Sequence, residues 1–129
     1  MAVFDTAFFH QLPNEVRCYA LPPDIQRKHE IQRFGFHGTV HQHLAFEAAH
    51  QLKRPVSTLK LVILHLGNGV SAAAIRRGVC IDTSMGMIPL EGLIMGSRCG
   101  DIDAGVLIKL LNDGYRSVNW QTCLTTIAG

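Results

Sequence analysis

The sequence predicts an α/β fold in which an antiparallel three-stranded meander packs with helices. Residues 61–64 form an aliphatic, β-branched run that is too short to span a membrane as a helix, so it is typical of a buried strand. Two further short apolar runs, 70–75 and 79–83, follow closely, and turn residues separate all three. The alanines at 72–74 favour a helix by propensity, but the flanking turns leave too little room for one.

The composition narrows the class of protein. The chain has 129 residues, of which 47% are hydrophobic, so it can form one domain or a large part of one. The net charge of +2 and the scattered Lys and Arg residues argue against a nucleic-acid or membrane-surface partner. We expect a cytoplasmic protein, because no apolar run reaches transmembrane length and the N-terminus lacks a signal-peptide pattern. Four cysteines form no CxxC pair and are expected to be reduced thiols: Cys18, Cys80, Cys99 and Cys123.

The first third of the chain is expected to hold short elements. Residues 3–10 are apolar with one acid near their start, which is typical of a strand end that runs into a loop, with Asp5 as a turn or cap residue. Residues 12–16 are expected to begin a short helix with a proline in its first turn. A second short helix or turn is predicted over 24–30. Residues 32–39 alternate aromatics with glycines, which suits a short strand.

A longer helix is predicted to begin near residue 39, where Thr39-Val40-His41-Gln42 matches the capping box S/T-x-x-E/Q. His41 and His43 lie two residues apart and point to different faces, so we expect both at the surface and no histidine metal site. The apolar stripe of the helix repeats at helical spacing: Leu44, Ala45, Ala48, Ala49 and Leu52.

His37 lies just before the N-terminus of this helix. The backbone dipole favours an anion there, and the imidazole is well placed to contact one. A satisfied structural histidine accounts for the same pattern.

The turn after the first strand contains Gly67 and Gly69, which are expected to adopt positive φ and to expose backbone N–H groups. A loop of this kind binds anions, and phosphate is the commonest candidate. Asn68 followed by a glycine is also a strong hairpin signal. The two interpretations are compatible, because a hairpin turn can also hold a phosphate.

Residues 84–103 spread four glycines through an apolar, methionine-rich run. Arg98 lies between two of these glycines, and its guanidinium suits phosphate because it donates two parallel hydrogen bonds. The alternative is a surface ion pair with Asp101 or Asp103. One of these two aspartates is expected to cap a helix that ends at residues 112–114. The helix would bury one apolar side: Val106, Leu107, Leu110 and Leu111.

Several motifs together resemble the acetate/propionate kinase family in their order and spacing. They are Phe4-Asp5-Thr6-Ala7-Phe8, Phe36-His37-Gly38-Thr39, His65-Leu66-Gly67-Asn68-Gly69, and the segments 82–86, 89–92 and 95–103. The resemblance covers nearly the whole chain, from residue 3 to about residue 113. Departures from the family's usual residues lie beside the motifs and affect local packing: Phe9, Val40, Cys99 and Ala104.

The resemblance implies the fold shared by sugar kinases, actin and heat-shock ATPases, the ribonuclease H-like fold, in which two α/β lobes close over a nucleotide. Residues 1–12 would then end the first lobe, and residues 13–129 would form the N-terminal part of the second. The chain is expected to be an internal piece. The family's adenosine-binding segment and magnesium-binding glutamate would lie outside it, so we expect no turnover from these residues alone.

The reaction implied is reversible transfer of the γ-phosphoryl group of ATP to acetate, which gives acetyl phosphate and ADP and uses Mg²⁺. A propionate kinase and a catalytically incomplete fragment are the alternatives. The full-length protein would be a homodimer that takes acetate or another short-chain carboxylate. The residues carried over by the resemblance are Asp5, His37 and Arg98 for catalysis, His65, Leu66, Gly67, Asn68 and Gly69 for the nucleotide phosphates, and Phe36 and Pro89 for the acetate methyl pocket.

Overall fold

The structure, a computed structural model, describes residues 2–115 and 124–125. Two 3₁₀ helices, at Asp5–Phe9 and Val56–Thr58, accompany the regular elements. In chain order these elements are α1 (Asn14–Arg17), α2 (Pro23–Lys28), α3 (Gly38–Gln51), β1 (Lys60–Leu66), β2 (Val70–Arg76), β3 (Val79–Thr83) and α4 (Ala104–Asn112).

The predicted meander is confirmed. β2 lies between β1 and β3 and is antiparallel to both. β1 pairs with β2 over seven residues, from Lys60 opposite Arg76 to Leu66 opposite Val70. Alternate residues of β2 point into the core, so its small side chains let the sheet approach the helices closely. The alanine run is therefore a strand, as the flanking turns indicated.

The core joins the start of the chain to the sheet. Phe9 and Leu12 pack in one buried cluster with Ala73 of β2 and Cys80 of β3. α3 covers the first 3₁₀ helix and β1, and it buries Ala45 and Ala49 on the predicted stripe. The prediction of burial was less accurate for two other residues of the stripe. Leu44 is only half-buried, and Leu52 is 54% exposed.

The prediction that His41 lies at the surface was wrong, because the residue is fully buried. His41 lies four residues before Ala45, so it shares the buried face of α3. His43, two positions away, is exposed as expected.

Two predicted strands and the capping box were also wrong. Residues 3–10 contain the 3₁₀ helix, and residues 32–36 form a loop that leads into α3. α3 begins at Gly38, and its cap, His37, makes no side-chain capping bond. The hydroxyl of Thr39 donates to the carboxylate of Asp5 at 3.0 Å instead. A side chain from another segment thus replaces the local cap.

The glycine-rich segment after β3 is held by Arg33 and Glu91. Arg33 Nη2 and Glu91 Oε1 are 2.6 Å apart, and the Tyr19 hydroxyl donates to Glu91 Oε2. Partial burial and the adjacent carboxylate raise the pKa of Tyr19 to about 12. Arg33 also donates to the carbonyls of Thr83 and Met85 at 3.3 and 3.2 Å. These bonds fix the segment that carries Arg98.

α4 is capped as predicted at one of the two candidates, since Asp103 Oδ1 accepts from the N–H of Gly105 at 2.7 Å. Its expected buried side was wrong in part. Among the four residues, Leu107 and Leu110 are half-buried, whereas Val106 is 42% exposed and Leu111 54% exposed. The described residues therefore leave much of this apolar side uncovered.

Three of the four cysteines lie in the described residues and are free thiols, as expected: Cys18, Cys80 and Cys99. Cys123 lies outside the described residues. No helix in the described part of the chain has the length and apolar character needed to cross a membrane.

We predict that Gly38→Ala destabilises the protein, although glycine-to-alanine changes inside helices are ordinarily stabilising by about 1 kcal/mol. A Cβ at this position would collide with the carbonyl oxygen of Asp5 and lie 2.9 Å from the Cβ of Phe8. Overpacking of this kind costs about 1–3 kcal/mol. Urea unfolding of the chain measures the change.

Gly105→Ala is the matched control, because a Cβ there meets nothing closer than the flexible Asp103 side chain at 3.1 Å. It should change the free energy of unfolding by less than about 1 kcal/mol. A Gly38→Ala protein as stable as the wild type would show that the first 3₁₀ helix does not pack tightly on α3.

Candidate active site

The candidate site lies where the N-terminus of α3, the β1–β2 turn and the glycine-rich segment meet. His37 caps α3 in a left-handed conformation, with φ of 60°. Its ring lies 4.3 Å from the ring of His65, which comes from the end of β1. The structure thus brings together side chains from segments that lie nearly 30 residues apart in sequence.

The carboxylate of Asp5 binds the start of α3. Asp5 Oδ2 accepts from the N–H of His37, and Oδ1 accepts from the N–H and the hydroxyl of Thr39 at 3.2 and 3.0 Å. Partial burial alone would raise the pKa of Asp5, but the hydrogen bonds from Thr39 and His37 outweigh it and hold this pKa below its ordinary value. Asp5 is therefore an ionised cap on a helix, in keeping with the cap interpretation of its sequence.

His37 is held by one ring nitrogen. Its Nδ1 lies 2.9 Å from Ser71 Oγ, and Ser71 Oγ lies 2.8 Å from Nε2 of the buried His41. Burial lowers the pKa of His37; His65 and Arg98 add to the shift, while Asp5 opposes it. His37 is thus a neutral imidazole at neutral pH, anchored through Ser71.

The loop after β1 comes close to the ring of His37 and to Arg98 at Gly69. A Cβ built there would lie 3.2 Å from His37 Nε2 and 3.6 Å from Arg98 Nη1. The expectation of positive φ at Gly67 and Gly69 was wrong; the left-handed residues of the meander are Arg77 and Gly78 in the next turn. Glycine is required at 69 because the ring of His37 packs against this position and leaves little room for a side chain. The loop itself closes with Gly67 N–H donating to the Gly69 carbonyl at 3.2 Å.

The guanidinium of Arg98 points toward this loop. Its Nη1 donates to the carbonyl of Pro89 at 2.8 Å and contacts Met95 Sδ at 3.4 Å. The proposed ion pair with Asp101 or Asp103 is absent among the described residues, because Asp101 accepts from Gly92 N–H and Asp103 caps α4. Nε and Nη2 of Arg98 have no partner in that part of the chain, so they can donate to a ligand.

The remaining predicted residues lie around this centre. Asn68 is close to Gly96, where an added Cβ would lie 2.9 Å from Asn68 Oδ1. Leu66 is 71% exposed at the end of β1. Phe36 directly precedes His37 and is half-buried, and Pro89 contacts Arg98 through its carbonyl. The structure therefore brings Gly69 beside His37 and Arg98. The assignment of residues 65–69 to the nucleotide phosphates, and of Phe36 and Pro89 to the methyl pocket, stays a prediction.

The described residues do not form a metal site by themselves. Within 2–115 and 124–125, no three His, Cys, Asp or Glu side chains are grouped so as to hold an ion. The carboxylate of Asp5 accepts three hydrogen bonds from His37 and Thr39 at the start of α3.

Sequence reasoning missed His41 and Ser71, which hold His37, and also Arg33 and Glu91, which hold the Arg98 segment. One signal was available for Ser71. In a hairpin with a three-residue turn at 67–69, Ser71 lies directly opposite His65, so the two residues belong to the same end of the sheet. No local pattern identified Arg33 or Glu91.

The chain matches the sequence model of the acetokinase family over residues 1–123. It is 48% identical over 130 residues to acetate kinase 1 of Vibrio cholerae serotype O1, an alignment that covers all of this chain and 33% of that protein. It is 51% identical over 122 residues to the acetate kinase of Clostridium novyi, covering 92% of this chain and 30% of that one. The chain thus spans about a third of the length of the curated relatives it matches.

Solved structures show the same likeness. The fold matches that of Porphyromonas gingivalis acetate kinase with a TM-score of 0.94 and 42% identity, over 98% of this chain and 32% of that one. It matches a propionate kinase from Francisella tularensis with a TM-score of 0.88 and 38% identity, over 95% of this chain and 32% of that one. The α/β fold with an antiparallel meander and helices is therefore confirmed for the part that the chain covers, and the division into two lobes stays a prediction. The chain belongs to the acetokinase family.

Proposed function

We propose that the protein containing this chain is a phosphotransferase that moves the γ-phosphoryl group of ATP reversibly to acetate and forms acetyl phosphate and ADP. The proposal is supported most directly by His37 Nε2 and the Arg98 guanidinium, which lie on either side of Gly69; Nε and Nη2 of Arg98 have no partner among the described residues. Two nitrogen donors that converge beside a glycine loop suit the oxygens of a phosphoryl group. The named relatives, which are acetate kinases, supply the acceptor.

The nucleophile in this reaction needs no general base. A carboxylic acid such as acetate has a pKa of roughly 4 to 5, so it is ionised at neutral pH. An acetate oxygen attacks the γ-phosphorus, a P–O bond forms, and the bond to the ADP oxygen breaks. Asp5 then has no proton to remove, and its hydrogen bonds assign it to the orientation of His37 and Thr39.

The barrier comes from bringing an anion to a polyanion. Arg98 supplies positive charge, and neutral His37 and the loop 65–69 supply hydrogen bonds to the transferring group. Preorganised donors of this kind stabilise the negative charge that spreads over the phosphoryl oxygens in the transition state. They need little reorganisation, because their hydrogen-bond partners already hold them in place. Mg²⁺, held by ligands that the full-length protein would supply, would neutralise part of the phosphate charge.

Propionate is the second candidate acceptor, since one structural neighbour is a propionate kinase. The walls assigned to the methyl pocket, Phe36 and Pro89, lie beside His37 and Arg98 respectively. An additional methylene in an apolar pocket changes specificity by about 10–200-fold. The ratio of kcat/KM for the two acids therefore decides between them.

The first test is an acetyl-phosphate assay with ATP, Mg²⁺ and acetate. We would run it on the chain alone and on a chimera in which this chain replaces the matched 130 residues of the Vibrio cholerae enzyme. We expect turnover from the chimera and none from the chain alone. An inactive, folded chimera would contradict the proposed function, and turnover by the chain alone would contradict the expected need for the missing parts.

We predict that Arg98→Ala in the active chimera lowers kcat by about 10²–10³ and changes both KM values far less. The reason is that the guanidinium acts on charge that develops during transfer. Steady-state kinetics with acetate and ATP separate the two constants. Arg27→Ala, an exposed arginine on α2, is the matched control and should leave both constants unchanged. A loss confined to KM would overturn the transition-state role of Arg98.

We predict that Asp5→Asn lowers kcat without changing the shape of its pH profile between about pH 6 and pH 9. The amide places a donor or a weaker acceptor against the N–H groups of His37 and Thr39, so the start of α3 loses its anchor. High pH should not restore activity, because no base has been removed. If the variant lost the low-pH limb that an essential base gives the wild type, and recovered activity at high pH, Asp5 would be a general base.

A further inference from the structure

We propose that Ser71 and His41 are positioning residues that hold His37 in the tautomer with its proton on Nε2, so that the neutral ring donates a hydrogen bond to the transferring phosphoryl group. This inference rests on the proposed function and deepens it. It assigns roles to two buried residues that act through His37 and do not themselves contact the phosphoryl group.

The three side chains form one connected chain of hydrogen bonds. His41 Nε2 lies 2.8 Å from Ser71 Oγ, and Ser71 Oγ lies 2.9 Å from His37 Nδ1. Ser71 and His41 are both fully buried, so no solvent competes for these bonds. A serine hydroxyl has one proton to donate, so the direction of one bond sets the direction of the other.

The free nitrogen of His41 sets that direction. His41 Nδ1 is buried and has no hydrogen-bond partner among the described residues. A proton there would be a buried N–H without an acceptor, which proteins rarely tolerate. The His41 proton therefore resides on Nε2 and is donated to Ser71 Oγ. Ser71 then donates to His37 Nδ1, and the single proton of neutral His37 remains on Nε2.

Both histidines are neutral, as this argument requires. Burial lowers the pKa of His41 to about 4, with His37 and His65 adding to the shift and Asp5 opposing it. The pKa of His37 is lowered for the same leading reason. A neutral imidazole carries one N–H, and its position is set by the bond that the other nitrogen makes.

This tautomer places an N–H donor beside Gly69 and Arg98, where the phosphoryl group is proposed to bind. His37 Nε2 is the nitrogen that faces Gly69 and lies beside Arg98, as shown by the 3.2 and 3.6 Å distances from a Cβ built at Gly69. The opposite tautomer would present a lone pair to an anionic phosphoryl group. Ser71 lies on β2 opposite His65, so one hairpin carries both the glycine loop and the residue that sets the tautomer.

Nitrogen NMR of the histidine side chains in the 129-residue chain tests the tautomer directly. With ¹⁵N-labelled histidine at neutral pH, we expect His37 to carry its proton on Nε2 and to have an unprotonated Nδ1. A proton on His37 Nδ1 overturns the inference, whatever the activity of the protein. Because this readout needs no turnover, it stays separate from the test of the proposed function, in which only an inactive chimera counts against the kinase.

Variants in the chimera test the consequence. Ser71→Ala should lower kcat about 10-fold or more, with KM values within about 2-fold, and should leave His37 as a mixture of tautomers. His41→Gln keeps a donor near the Nε2 position and should retain more activity than His41→Leu. Ser57→Ala and His43→Gln, both exposed, are the matched controls and should behave as wild type.

A structural role alone would give a different pattern. If Ser71→Ala and His41→Leu lowered the unfolding midpoint but left the His37 tautomer and kcat unchanged, the positioning role would be overturned. Should Ser71→Ala fail to fold, the comparison of His41→Gln with His41→Leu still decides, since equal activity in the two would show that the donor at Nε2 does not matter.

Discussion

The carboxylate of Asp5 bound to the N-terminus of α3 is the contact on which the site depends. It satisfies two backbone N–H groups that the helix cannot satisfy within itself, and it places a negative charge where the helix dipole favours one. Because one of those N–H groups belongs to His37, the same contact fixes this left-handed residue, whose ring lies beside Gly69. Gly38 then permits the first 3₁₀ helix to approach the helix start closely.

The site combines one positive side chain with neutral donors. Burial disfavours the charged form of His37 and His41, so these two imidazoles add no repulsion to Arg98. A neutral histidine still donates strongly if its other nitrogen is held, and Ser71 holds it. Arg98 would therefore balance the negative charge of a phosphoryl ligand, and the neutral donors would orient the ligand by hydrogen bonds.

Much of the architecture followed from local pattern. The short apolar runs with turns between them predicted all three strands, and the helical spacing of alanines predicted Ala45 and Ala49 on the buried side of α3. Family motifs predicted which side chains meet: His37, His65 and Arg98 do lie around Gly69. Local pattern failed where an element is short, since residues 3–10 form a 3₁₀ helix and residues 32–36 a loop.

By itself, the sequence determined the family, the meander and the long helix, and it indicated His37, His65 and Arg98 as candidate site residues. Only the tertiary structure decided which partner each polar group takes. The cap of α3 comes from Asp5, the anchor of His37 from Ser71, and the support of the Arg98 segment from Arg33 and Glu91. These partners are more than 30 residues apart, so burial and packing, rather than spacing along the chain, decide which of them meet.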